Sequence, residues 1–111
     1  MDAARAIGDL TEISPQVKRV AILTPDGTVT ASNVGDAEAG RLADGARALI
    51  AAADELRPGV AQLEAATVDG SVFVVRDGER LITATTSPEP TVGLVFYDLK
   101  TCLRSLDDGA A

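Results

Sequence analysis

The sequence predicts an α/β (α+β) sandwich whose elements follow the order α-β-β-α-β-β-β-α. Three Asp-Gly pairs, at residues 26–27, 69–70 and 77–78, each separate short β-rich runs. Asp-Gly is a strong hairpin signal, because both central residues of a type I′ turn need positive φ. An Ala- and Leu-rich segment between the first two pairs is typical of a long helix. The run Val72–Val75 is apolar on both faces, which predicts a central strand with helices above and below the sheet.

The first helix is predicted from Asp2 to Ile13, with Asp2 as its N-cap. The Ser14-Pro15 pair ends this helix, because the residue before proline is pushed out of the helical region. Its apolar face holds Ala3, Ile7, Leu10 and Ser14, with Ala6 and Ile13 beside it.

A β-hairpin follows, with strands Val17–Leu23 and Thr28–Ser32. The turn between them is Pro25-Asp26-Gly27, where proline presets φ and glycine supplies a positive φ. The hairpin is therefore predicted from turn chemistry as well as from its β-rich flanks.

The second helix is predicted from Asp36, as N-cap, to Leu56, and the Arg57-Pro58-Gly59 segment ends it. Apolar residues recur along it at helical spacing and predict the face that packs on the sheet. That stripe consists of Leu42, Ala46, Leu49, Ala53 and Leu56, widened by Ala43 and Ile50.

The other side of this helix carries a strip of small residues, Gly45, Ala48 and Ala52, with Arg41 and Glu55 at its ends. An ordinary solvent-facing side would carry more Glu and Lys. Two interpretations stay open: the small residues reflect helix propensity alone, or they allow close packing against another backbone.

A three-strand meander is predicted next, with strands Val60–Val68, Ser71–Arg76 and Arg80–Thr86. The first of these mixes polar Gln62 and Glu64 with apolar residues, which suits an edge strand. Its unpaired backbone groups would invite pairing with another strand.

Thr91 is predicted to cap a last helix, which ends a single domain spanning residues 1–106, with a frayed tail at 107–111. The apolar stripe of this helix consists of Val92, Val95, Leu99, Cys102, Leu103 and Leu106. Leu94 and Tyr97 fall outside the stripe, so they are either candidate anchors for a partner or ordinary scattered surface residues.

Composition excludes several classes of function. The net charge is −7 and the basic residues form no run, which argues against nucleic acid or an anionic membrane as a partner. The chain has no histidine, which removes Ser-His and Cys-His nucleophiles and the commonest metal ligand. No signal peptide or membrane-span pattern is present, so the expected compartment is the cytoplasm.

The remaining candidates for chemistry are weak. The loop 32–36 has one glycine and no lysine, so it does not predict a phosphate site. Cys102 lies on an apolar stripe and is expected to act as a small hydrophobic residue. The turn carboxylates and the hydroxyl-rich strand end are expected to serve structure. They are Asp26, Asp69, Asp77 and Glu79, and Thr83, Thr85, Thr86 and Ser87. No enzyme activity, cofactor or metal is therefore predicted.

Taken in order, these features resemble the Roadblock family (dynein light chain roadblock type), which includes the bacterial MglB-like proteins. The resemblance rests on the hairpin Val20–Ser32, the acidic helix start Asp36-Ala37-Glu38, the Asp-Gly meander, and Val92-Gly93-Leu94-Val95 opening the last helix. It covers nearly the whole chain, and its specificity comes from the ordered combination.

The resemblance implies a profilin-like, five-stranded antiparallel sheet with the second helix on one face and the terminal helices on the other. It also implies a homodimer in which third strands and second helices meet, and a small Ras-like GTPase as partner. The expected interface residues are Arg41, Gly45, Ala48, Ala52, Glu55, Gln62 and Glu64. A GTPase regulator or scaffold, a purely structural subunit of a larger complex, and a small-molecule sensor are the three functions considered. The scarcity of aromatic residues argues against the sensor.

Overall fold

The computed structural model describes residues 1–107, and its elements follow the predicted order. The helices are α1 (Ala3–Ile13), α2 (Asp36–Leu56) and α3 (Val92–Arg104). The strands are β1 (Val17–Leu23), β2 (Val29–Ser32), β3 (Gln62–Thr67), β4 (Gly70–Asp77) and β5 (Arg80–Thr86). Of the tail expected at 107–111, residues 108–111 lie outside the described residues.

The N-cap residues of α1 and α3 are the predicted ones, and that of α2 differs. The Asp2 carboxylate accepts a hydrogen bond of 2.8 Å from the Arg5 backbone N–H, which is the predicted cap. At α2 the N-cap is Gly35, and Asp36 is the first helical residue; its negative charge there still favours the positive end of the helix dipole. Thr91 occupies the N-cap of α3 without a side-chain cap bond.

The Asp-Gly hairpins are present, but the expected type I′ geometry is wrong for all of them. Type I′ turns need positive φ at both central residues. Among residues 1–107, Glu89 is the one non-glycine residue with positive φ. The positive φ angles of the pairs fall on glycine: 91° at Gly27, 149° at Gly70 and 63° at Gly78. At Gly70 a Cβ would lie 2.0 Å from the carbonyl oxygen of Thr86, so this position requires glycine.

The strands form one antiparallel sheet in the order β2-β1-β5-β4-β3. β4 lies inside the sheet and β3 at its edge, as predicted. β2 forms the opposite edge. The sheet therefore has two edges. The short strand β2, which belongs to the first β-hairpin, forms one edge, and the longer strand β3, which belongs to the meander, forms the other.

Each face of the sheet has its own hydrophobic core. α1 and α3 cover one face, over a cluster that includes Phe73, Val75 and Ile82. α2 covers the other face, over a cluster that includes Val74 and Leu81. Neighbouring residues of β4 thus point into opposite cores, which is the alternation that a strand requires. The three-layer arrangement implied by the family resemblance is confirmed.

The face of α2 that packs on the sheet is rotated from the predicted one. The buried residues of this helix are Ala39, Ala43, Ala46 and Ile50. Leu42 and Leu49 are half-buried against the same core, and Leu56 is 84% exposed. Three alanines let the helix backbone approach the sheet closely, and this contact leaves the larger leucines to one side.

Candidate interaction surface

One side of α2 presents an apolar surface that residues 1–107 cover only in part. We call it the leucine flank: Leu42, Leu49 and Leu56, bordered by Gly45 and Ala52. The three leucines recur every seven residues, the spacing of a seam between two packed helices. Gly45 and Ala52 are exposed, and no atom outside the local helix lies within 4 Å of where a Gly45 Cβ would stand. The flank is therefore bordered by small residues with open space beside them.

The edge strand β3 shares a core with the leucine flank. Leu42 and Leu49 belong to the same core as Leu63 of β3. The Arg76 N–H donates to the Ala61 carbonyl at 2.8 Å, just before β3 begins. By the alternation of an antiparallel ladder, the N–H and C=O groups of residues 62, 64 and 66 then point away from β4. β3 contains no lysine or proline that would block pairing with another strand.

The opposite side of α2 is polar and is bound within the chain. The Asp54 carboxylate accepts hydrogen bonds of 2.9 and 3.0 Å from the Arg76 guanidinium. Arg76 and the Val60 N–H lower the pKa of Asp54 below its ordinary value. Arg47 lies against the Gly27 turn, where a Cβ on the glycine would come 2.7 Å from its Nη1. These contacts fix the rotation of α2.

The structure gathers five of the seven expected interface residues on the outer side of α2. Arg41, Gly45, Ala48, Ala52 and Glu55 are all exposed there. The helical spacing of the leucines beside them predicts core residues, but Leu42 and Leu49 are half-buried and Leu56 is exposed. Their seven-residue recurrence is the sequence signal that could have identified them as part of an exposed surface.

Gln62 and Glu64 lie on the other face of the sheet. They pair with Val75 and Phe73, which point into the core beneath α1 and α3, and directly opposed residues share a face. Glu64 accepts a hydrogen bond of 2.8 Å from the Ser71 hydroxyl. The two residues therefore belong to the β3 edge but do not join the side chains of α2.

Cys102 is a buried structural residue in this fold. It is 6% exposed, and its thiol donates to the Ala6 carbonyl at 3.6 Å. Burial, and secondarily the negative charge of Asp9, raises the pKa of the thiol to about 11. Since the thiolate is the nucleophile, this cysteine is poorly suited to covalent chemistry near neutral pH.

The other polar candidates either form hydrogen bonds with the backbone or lie too far from one another to form a site. In the loop after β2, Asn33 accepts from the Val20 N–H at 2.8 Å and donates to the Lys18 carbonyl at 2.9 Å. Asp69 and Asp77 lie at opposite ends of β4, so they cannot form an acid–base pair. The Thr83 hydroxyl donates to the Phe73 carbonyl at 3.0 Å.

Within residues 1–107, no group of three or more acidic or cysteine side chains is placed to hold a metal ion. The helices of this same stretch include none with the length and apolarity needed to cross a membrane.

Solved structures share this architecture. A Roadblock/LC7 domain from Streptomyces avermitilis matches with a TM-score of 0.82 at 17% identity, covering 95% of this chain and 94% of that one. Myxococcus xanthus MglB matches with a TM-score of 0.74 at 16% identity, covering 90% and 87%. Acanthamoeba castellanii profilin IB matches with a TM-score of 0.65 at 16% identity, covering 97% and 99%.

No protein-family model matches this sequence, and no significant match to a curated protein exists. At identities this low the structural similarity establishes the fold alone. The chain has a Roadblock-like, MglB-like fold, as its sequence resemblance predicted.

Proposed function

We propose that this protein is a non-enzymatic, homodimeric regulator or scaffold of a small Ras-like GTPase, acting in the cytoplasm. The observation that carries the proposal is the leucine flank of α2 beside the open β3 edge, in a chain with an MglB-like fold. The GTPase itself is inferred from the sequence resemblance to the Roadblock family. One of the similar solved structures is MglB in a tetrameric arrangement, so an MglB fold is compatible with self-association.

The dimer part of the proposal follows from two features, the open edge of β3 and the partly exposed leucine flank of α2. The β3 edge has unpaired backbone groups, and a second β3 would pair with them to extend the sheet across a two-fold axis. The same operation would bring two α2 helices side by side. Leu56, which is 84% exposed, would then lie in a helix–helix seam, and Gly45 would allow the backbones to approach.

The GTPase part concerns the outer surface that such a dimer would present. Two α2 helices side by side would expose Arg41, Ala48 and Glu55 as parts of one surface. A GTPase whose switch region contacted this surface in one conformation only would shift toward that conformation. A tenfold bias requires about 1.4 kcal/mol of differential contact, which a modest interface supplies without any catalytic residue.

The test is a single-turnover GTP hydrolysis assay on a Ras-like GTPase from the same organism, with and without this protein. Binding to the GTP-loaded form is measured in parallel by calorimetry. We expect tighter binding to the GTP form than to the GDP form, and a raised hydrolysis rate if the protein is an activator rather than a scaffold. Failure of the dimer to bind any GTP-loaded Ras-like GTPase of that organism would contradict the proposal.

A purely structural subunit of a larger assembly is the second candidate. The same exposed leucine flank and open β3 edge favour it, since either could join a neighbouring subunit. Equal binding to the GTP-loaded and GDP-loaded forms, with no change in hydrolysis, would favour this alternative over the regulator.

A further inference from the structure

A second apolar groove lies on the far side of the sheet, between α1 and α3. The two helices run antiparallel: Cys102 contacts Ala6, and the Asp107 N–H donates to the Met1 carbonyl at 3.1 Å. The groove has a volume of about 290 Å³, and its floor includes Ala6, Leu10 and Cys102. It is separated from the leucine flank by the whole thickness of the sheet.

Three large apolar side chains stay exposed beside this groove. Ile13 is 71% exposed, Tyr97 is 66% exposed and Leu94 is 49% exposed. Ile13 and Tyr97 line the groove. Leu94 lies one helical turn before Asp98, another lining residue, on the same side of α3. Ile13 was expected beside the apolar face of α1, and Leu94 and Tyr97 were candidate anchors. Single exposed apolar residues are ordinary, but Ile13 and Tyr97 belong to one concave surface.

The walls of the groove carry negative charge. Asp9 from α1 and Asp98 from α3 both line it, and both are partly buried. Glu12 follows on the exposed side of α1. The basic residues of these two helices are Arg5, Lys100 and Arg104, and none of them lines the groove. The end of the groove that holds the exposed apolar residues is therefore acidic.

The negative charge of the groove distinguishes among the partners that could bind there. A second copy of the chain would bring Asp9 and Asp98 against carboxylates of the same sign, in a protein of net charge −7. An anionic membrane would be repelled in the same way. A helix that carries leucine-like residues on one side and lysine or arginine beside them would satisfy both the apolar floor and the acidic walls.

We propose that the groove between α1 and α3 docks a basic amphipathic helix of a partner protein, with its apolar side against Leu10, Ile13 and Tyr97 and its cations beside Asp9 and Asp98. This site is separate from the leucine flank and does not depend on the proposed GTPase function.

Tyr97 makes the proposal directly measurable. It is the single tyrosine of a chain that has no tryptophan, so intrinsic fluorescence reports on this groove alone. The probe is an aromatic-free Leu/Lys peptide of about 18 residues, long enough to form a helix when bound. We expect it to change the Tyr97 fluorescence in a saturable way, and a Leu/Glu peptide of the same apolar pattern to have no effect.

Variants locate the bound peptide. Ile13→Arg, and the double variant Asp9→Asn with Asp98→Asn, should each weaken binding at least about tenfold, or about 1.4 kcal/mol. Tyr97→Phe should remove the optical signal while calorimetry still detects binding. Ala51→Arg, at an exposed position of α2 on the opposite side of the sheet and outside the leucine flank, is the matched control and should leave binding unchanged. Circular dichroism confirms that each variant is folded.

Four outcomes would overturn the proposal. One is binding without a change in Tyr97 fluorescence, and another is equal binding of the Leu/Glu peptide. A third is a Tyr97 response to lipid vesicles, zwitterionic or anionic, in place of the peptide, which would assign the groove to a membrane. The last is a solution mass that falls in Ile13→Arg but not in Leu56→Arg, which would assign it to a second copy.

Discussion

Asp54 of α2 and Arg76 of β4 form a two-pronged ion pair, with hydrogen bonds of 2.9 and 3.0 Å between the guanidinium and the two carboxylate oxygens. Asp54 also accepts a hydrogen bond of 3.0 Å from the Val60 N–H. These bonds join the last turns of α2 to an inner strand and to the segment that leads into β3. They thereby hold the leucine flank in place beside the sheet edge.

Asp54→Asn should lower stability in a pH-dependent way. Arg76 lowers the pKa of Asp54 in the folded protein. A carboxyl whose folded pKa is lowered stabilises the fold above its unfolded pKa of about 3.9, and the contribution is lost as pH falls through the folded value. The melting temperature of Asp54→Asn should therefore lie below that of the wild type at pH 7. The two should begin to converge as the pH falls below about 4, and they should meet once the pH lies below the folded pKa of Asp54.

Thermal melts followed by circular dichroism between neutral and acidic pH measure this effect. Asp44→Asn is the matched control, because Asp44 is an exposed carboxylate on the same helix. A difference between wild type and Asp54→Asn that stays constant across this pH range would contradict the ion-pair explanation.

Gly70→Ala should destabilise the fold by roughly 3 kcal/mol or more, because it adds a strained φ and a backbone clash. The new Cβ would lie 2.0 Å from the Thr86 carbonyl oxygen at a φ of 149°. Gly8→Ala is the control: it is exposed within α1, with no atom within 4 Å of the new Cβ, and should gain about 0.5–1 kcal/mol. Urea unfolding measures both, and a neutral Gly70→Ala would mean that the β4 turn differs from this geometry.

Ile50→Ala and Leu49→Ala should differ although the two residues are adjacent. Ile50 is 7% exposed, so its truncation should cost roughly 2–5 kcal/mol. Leu49 is half-buried in a single chain, so its cost should be smaller in dilute protein and should grow with protein concentration if a dimer covers it. Urea unfolding at two protein concentrations tests this, and equal losses for both variants at every concentration would count against the observed rotation of α2.

Ala52→Arg should weaken the proposed dimer, because a long charged side chain would enter a close helix seam. Ala51→Arg makes the same chemical change one residue earlier on an exposed position outside the leucine flank, and should cost within about 0.5 kcal/mol. Light scattering at tens of micromolar protein, about the range where weak dimers form, gives the mass of each variant. A wild-type monomer, or a dimer insensitive to Ala52→Arg, would disprove this interface.

The isolated protein should neither hydrolyse GTP nor bind it tightly. The sequence carries no glycine-rich phosphate loop and no histidine, and the loop after β2 uses its polar side chains on the β1 backbone. Calorimetric titration with GTP and GDP, and phosphate release from the protein alone, measure the two properties. Micromolar nucleotide binding or turnover without a partner would contradict the proposed non-enzymatic role.

The sequence by itself determined the order and type of the elements, because helical periodicity, strand alternation and turn residues are local properties. The α1 cap at Asp2 and the edge character of β3 could be predicted for the same reason. The Asp-Gly pairs located the turns, but the two central residues in the meander are Val68-Asp69 and Gly78-Glu79, and glycine alone supplies the positive φ in each pair.

Only the tertiary structure decided which side of α2 faces the sheet. A helical stripe of apolar residues is wide enough to allow several rotations, and the sequence favoured the one that buries Leu42, Leu49 and Leu56. Packing selected the rotation in which Ala39, Ala43 and Ala46 touch the sheet, where small side chains permit close approach and the Asp54–Arg76 pair can form. The groove between α1 and α3 could likewise not be predicted from the sequence. Its two walls are separated by almost the whole length of the chain, and they come together only when both helices pack on the same face of the folded sheet.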